Sequence, residues 1–68
     1  KIDGCFIRNM DRDAIDYTMV QAITSMCRVL GLKTIGEFAE NETIIGQLRE
    51  IGVDYAQGYG ISKPQPLE

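Results

Sequence analysis

Glu37 is the residue best placed for chemistry in this chain of 68, because it interrupts an otherwise apolar run between Ile35 and Phe38. A carboxylate drawn out of water needs a cation, a metal or a proton. Lys1 and Gln57 stand at comparable places, each at the end of a strand-like segment, and Glu40 follows Glu37 by three. In parallel α/β folds, functional groups collect at the C-terminal ends of strands. The plainer readings stand beside this one. Glu37 can face solvent or pair with a lysine on a neighbouring strand, Glu40 can cap the next helix, Lys1 can be solvated, and Gln57 can be a strand-end amide before a turn. Tyr55 and Tyr59, four apart on a strand, share a face and suit core or rim packing.

Other chemistries are excluded by composition. The chain has no histidine, which removes the His-containing zinc sites and any serine or cysteine nucleophile activated by a His base. Cys5 and Cys27 lie twenty-two apart in no CxxC spacing. They fit a reducing, cytoplasmic setting better than a disulfide scaffold. A net charge of −3 argues against nonspecific DNA or RNA binding, which needs a basic stripe. No apolar run approaches the ~20 residues of a membrane span.

The elements that must position these residues follow from periodicity. Residues 1–6 read as the end of a strand entering a turn at Asp3-Gly4. Asp13 is a suitable N-cap. Ile15, Met19, Ile23, Met26 and Leu30 then recur at steps of four, four, three and four, predicting a helix with that face buried. Gly31 closes it. Residues 32–39 read as a second strand. Asn41 caps a second helix, with Ile44, Ile45, Leu48 and Ile51 on one face and Gly52 at its end. Residues 53–61 form a third strand-like segment, and the tail from Ser62 to Glu68, with Pro64 and Pro66, reads as irregular.

The predicted order is β-α-β-α-β, which implies parallel strands joined by helical crossovers. Three parallel strands cannot close a barrel, and two helices cover both sheet faces poorly. At this length the apolar burial barely offsets chain entropy. The chain also opens on Lys1 rather than Met. The expectation is therefore a single incomplete α/β domain over residues 1–68, cut from a longer protein and held by the rest of it or by self-association.

Three segments carry a family resemblance. Lys1-Ile2-Asp3-Gly4-Cys5-Phe6-Ile7, Gly36-Glu37-Phe38-Ala39-Glu40 and Gln57-Gly58-Tyr59-Gly60-Ile61-Ser62-Lys63-Pro64 resemble the last three motif blocks of EAL domains, the bacterial cyclic di-GMP phosphodiesterases. The intervals agree as well: thirty-six residues from Lys1 to Glu37 and twenty from Glu37 to Gln57. The match covers essentially the whole chain, but only the C-terminal quarter or so of such a domain.

The resemblance implies a β-α-β-α-β piece of a TIM-like barrel, from a cytoplasmic signalling enzyme that hydrolyses cyclic di-GMP with Mg²⁺ or Mn²⁺. It implies catalytic roles for Lys1, near the metal-bound water and phosphate, and for Glu37, as general base or metal-site carboxylate. Gln57 would be a substrate-binding glutamine of the same pocket, and Glu40 a second acidic position behind it. The family's other ligands lie upstream, so the 68 residues alone are expected to be inactive. Phe38 departs from the family's usual Ala-Glu-Gly-Val-Glu run by standing in place of the glycine. Two alternatives remain: a degenerate domain that binds cyclic di-GMP as a receptor without cutting it, or a small structural module in which Glu37 is a surface charge.

Overall fold

A computed structural model describes residues 1–58 and 61–67. Its elements are α1 (Gly4–Ile7), α2 (Ala14–Val29), β1 (Ile35–Gly36), α3 (Glu42–Ile51), β2 (Tyr55–Gly58) and β3 (Ile61–Pro66). The sheet order is β1-β2-β3. β1 and β2 run parallel, with Ile35 opposite Tyr55 and Gly36 opposite Ala56. Ile2 adds a single parallel bridge to Gly36 on the outer side of β1, and its N–H donates to the Ile35 carbonyl (2.8 Å).

The helices start and stop where side-chain chemistry allows. The Asp13 carboxylate accepts from the Ile15 N–H at the start of α2, and the Asn41 side chain accepts from the Ile44 N–H at the start of α3. Each satisfies one orphan donor of a first turn. Gly52 ends α3 at φ 98°, a left-handed conformation that glycine adopts without penalty. The core consists of Ile2, Ile7, Met10, Val20, Ala39, Ile44, Leu48, Val53, Ala56 and Leu67, with Phe6, Tyr17, Ile23, Ile45 and Ile51 packed against it.

Four expectations need correction. Residues 1–6 are not a strand beyond Ile2. The Asp3 carboxylate accepts from the Cys5 N–H (3.0 Å) and caps α1 instead. The strands predicted over 32–39 and 53–61 shrink to Ile35–Gly36 and Tyr55–Gly58, with Tyr59 and Gly60 lying outside the described residues. The tail is not irregular. β3 pairs antiparallel with β2, so the sheet is mixed rather than all parallel. Pro64 and Pro66 are tolerated because β3 lies at the sheet edge, where a missing N–H costs no ladder bond on the open side.

The fourth correction concerns α2. Ile15, Met26 and Leu30 are 74%, 60% and 70% exposed, and Met19 is exposed too; of the predicted stripe only Ile23 packs on the core. The buried side is built on Val20 and Thr24, flanked by Tyr17 and Ile23. α2 is apolar over more than one face, so periodicity finds the helix without finding the face that meets the sheet.

Candidate functional site

The sheet register fixes where the polar residues go. Paired residues on parallel strands point to the same side, and residues one step along point to the other. Ile2, Gly36 and Ala56 are buried. Gly36 faces α1 and α3, where a Cβ would lie 3.0 Å from Leu48 Cδ1 and 3.5 Å from Ile7 Cδ1. Lys1, Glu37 and Gln57 each stand one residue away from this buried row.

Lys1 and Glu37 are in contact. Lys1 Nζ lies 3.0 Å from Glu37 Oε2, with the lysine side chain 63% exposed and the glutamate 28%. The glutamate is thus the more enclosed partner. Gln57 is half-buried on β2, one strand over from Glu37. Its backbone carbonyl accepts from the Ala39 N–H (2.9 Å), which ties the loop after Glu37 to the end of β2. Glu40 is exposed in the stretch before α3, and no contact among the described residues joins it to the pair.

Two backbone features shape this rim. Phe38 has φ 60° and is the one non-glycine residue with positive φ among those described. Gly58, at φ 124°, lies so close that a Cβ there would sit 2.8 Å from the Ala39 nitrogen and 3.1 Å from Phe38 Cα. A side chain at position 58 would push β2 off the loop that carries Glu37. Phe38 is 44% exposed, and the Arg8 guanidinium carbon lies 4.8 Å from its ring centroid. The replacement of glycine by Phe38 was visible in the sequence; its left-handed backbone was not.

The opposite end of the sheet carries a second polar cluster. Asp54 Oδ2 accepts from the Thr34 N–H (2.8 Å) and from the Thr34 hydroxyl (3.1 Å), while Thr34 Oγ1 accepts from the Asp54 N–H (3.1 Å). The Thr34 N–H holds the Asp54 carboxyl below its ordinary range, helped by the Thr34 hydroxyl and by the Lys33 and Arg28 charges, against the opposing effect of partial burial. Arg28 also donates to the Ile51 and Gly52 carbonyls (3.5 and 3.3 Å). Thr34, Asp54, Arg28 and Gly52, together with Lys33, line a cleft of about 380 Å³. Asp54, Thr34 and Arg28 are already engaged at the junction between strand and helix ends, so the cluster is structural.

Cysteine chemistry finds no support. Cys5 and Cys27 are free thiols, and local burial together with the Asp3 carboxylate pushes the Cys5 thiol up, away from a reactive thiolate. Among the described residues no three His, Cys, Asp or Glu side chains cluster closely enough to hold a metal. A divalent ion such as Mg²⁺ asks for about six hard oxygen ligands. Glu37 and the Gln57 amide oxygen are of that kind, but they do not complete a site. No described helix is long and apolar enough to cross a membrane.

Comparison with known proteins points one way. A family model described as EAL domain matches residues 1–64. The cyclic di-GMP phosphodiesterase PdeB of Shewanella oneidensis is 54% identical over 67 residues, covering 98% of this chain and 8% of that protein. The cyclic di-GMP phosphodiesterase PdeF of Escherichia coli is 45% identical over 67 residues, covering 98% of this chain and 9% of that protein. A solved structure of the PaMucR phosphodiesterase in complex with c-di-GMP superposes with a TM-score of 0.83 at 34% identity, covering 96% of this chain and 26% of that one. The chain therefore spans about a tenth of the length of these curated relatives.

Proposed function

Because the chain belongs to the EAL domain family, we propose that it forms the C-terminal part of a TIM-like barrel whose complete protein hydrolyses cyclic di-GMP to the linear dinucleotide. The observation that carries this reading is the Lys1–Glu37 pair, 3.0 Å apart just past the end of β1. A phosphodiester is doubly suited to such a pair. Its anionic oxygens attract an ammonium, and its hydrolysis needs a water that loses a proton as it attacks.

Lys1, with its exposed side chain, exchanges Glu37 for a phosphate oxygen when substrate arrives and offsets the charge that builds up in the transition state. Glu37, more enclosed and anchored beside β2, accepts the proton of the attacking water or offers an oxygen to a divalent ion. Gln57 orients the substrate from the neighbouring strand. A bound Mg²⁺ or Mn²⁺ would supply a water of lowered pKa. Glu37 is the residue of this chain suited to hold it, with the remaining ligands coming from outside the 68 residues. A cytoplasmic setting agrees with the free thiols of Cys5 and Cys27.

The test is incubation of the full-length protein with cyclic di-GMP and Mg²⁺ or Mn²⁺, with separation of the products. Appearance of the linear dinucleotide supports the reading. Tight binding with no product would favour the receptor alternative, and neither binding nor product would overturn both.

A further inference from the structure

Glu37 is held at both of its chain neighbours. On one side Gly36 takes the single parallel bridge from Ile2, and the Ile2 N–H donates to the Ile35 carbonyl at 2.8 Å. On the other side stands Phe38, whose φ of 60° lies in the left-handed region. That conformation costs free energy for any residue with a Cβ. Phe38 is also 44% exposed, so core packing does not explain an aromatic residue there. An outlier of this kind persists where its surroundings over-determine it, and such positions cluster at functional sites.

Gly4 is what over-determines it. The Phe38 ring carbons occupy the space that a Cβ on Gly4 would take, so ring and glycine are in direct contact. Gly4 is buried and opens α1, and its φ is not positive. Glycine in a helix costs conformational entropy, and at an ordinary φ its freedom is of no use. The missing side chain instead admits the ring. Two residues that each break a local preference thus account for one another. Arg8, at the end of α1, lies over the ring at 4.8 Å from its centroid. The Ala39 N–H bond to the Gln57 carbonyl and the close approach of Gly58 hold the backbone that follows.

Lys1 lies three residues before Gly4, and Glu37 immediately precedes Phe38. The Ile2–Gly36 bridge and the Phe38–Gly4 contact therefore join the two segments that carry the ion pair at two points, with Glu37 between them. A single attachment leaves the end of a strand free to swing. A second one fixes the direction in which the Glu37 side chain leaves the backbone. Resting on the reading of the site given above, we infer that Phe38 is a positioning residue for Glu37. Its ring, seated on Gly4 beneath Arg8, clasps the loop after β1 to the α1 segment and holds the carboxylate at its distance from Lys1. Phe38 acts through Glu37 rather than on the substrate.

The experiment measures kcat and KM for cyclic di-GMP in the full-length protein. It compares wild type, Phe38→Ala, Phe38→Tyr, Gly4→Ala, Glu37→Gln and the double variant Phe38→Ala with Glu37→Gln, each checked for cooperative melting above the assay temperature. Phe38→Ala should lower kcat about tenfold or more with KM held within about twofold, because a misplaced carboxylate costs rate before affinity. Gly4→Ala, which displaces the ring from the other side, should do the same. Phe38→Tyr keeps the ring and should keep kcat within about twofold of wild type. In the Glu37→Gln background, Phe38→Ala should cost less than about a further twofold, since the group it positions is already lost. A merely structural contact would exert its full effect in both backgrounds. Where Phe38→Ala does not melt cooperatively, Phe38→Gly removes the same ring and relieves the left-handed backbone. An unchanged kcat on loss of the ring, or an undiminished loss in the Glu37→Gln background, overturns the clasp and leaves the proposed hydrolysis standing. A wild type with no turnover of cyclic di-GMP overturns the functional reading, and the clasp with it.

Discussion

Asp54 shows how much a single side chain can organise in so short a chain. Its carboxylate, bonded to both the N–H and the hydroxyl of buried Thr34, clamps the entry of β1 to the entry of β2. The Tyr55 N–H, donating to the Thr34 carbonyl at 3.0 Å, continues the ladder from there. The folded-state pKa of Asp54 is depressed, chiefly by the Thr34 N–H. Its contribution is therefore present above the unfolded carboxyl value and is lost as pH falls through the folded one, in the window below about 4. Asp54→Asn should cost about 1–2 kcal/mol near pH 7, as a charge-assisted acceptor is replaced by a neutral amide. That difference should shrink on acidification below about pH 4. Denaturant unfolding of both proteins across this range measures it, and a gap that stays constant to the lowest pH would contradict the clamp. Nothing in the sequence pairs Thr34 with Asp54 twenty residues away, since the contact exists only once β1 and β2 lie side by side. Lys1, Glu37 and Gln57 were more legible, because a polar residue ending an apolar strand has few places to go.

At the scale of elements, caps and closing glycines proved readable, and faces and edges did not. Asp13, Asn41 and Gly52 act as their residue types predict, because capping is a local matter of one side chain and the next turn. The buried face of α2 is decided by what it packs on, and a helix apolar on two sides offers two answers. β3 was obscured by Pro64 and Pro66, which count against a central strand but not against an edge. The assignment of faces can be checked directly. At concentrations low enough to keep the 68-residue chain monomeric, Ile15→Ala should change stability by no more than about 0.5 kcal/mol, as expected for an exposed position. Leu48→Ala, at a fully buried position under Gly36, should cost about 2–5 kcal/mol. Comparable losses in the two variants would place the α2 stripe in the core after all.

The whole molecule leaves that stripe bare. Ile15, Met26, Val29 and Leu30 are each at least 60% exposed along one side of α2, while Tyr17 and Arg28 on another side reach α3. The free edge beyond Ile2 is likewise unpaired among the described residues. Exposed apolar helix surface together with open strand edges favours association. The isolated chain is therefore expected to self-associate when ordered, with an unfolding midpoint that rises across a hundredfold range of concentration. A cooperative monomer with a fixed midpoint would show that the three-stranded piece sustains itself. The isolated chain should not turn over cyclic di-GMP with Mg²⁺ or Mn²⁺ present, since one carboxylate beside one lysine does not hold a metal-activated water.

On the proposed reading Glu37 is the carboxylate of a phosphodiester-cleaving site, and the most direct measurement is kcat for cyclic di-GMP in the full-length protein carrying Glu37→Gln. The substitution keeps shape and hydrogen-bonding capacity while removing the charge that takes a proton or holds a metal ion. The predicted result is a fall in kcat of at least about a hundredfold, with the fold intact by its melting curve. A Glu37→Gln protein turning over at the wild-type rate would mean that the Lys1–Glu37 pair is a surface ion pair and that the chemistry lies elsewhere.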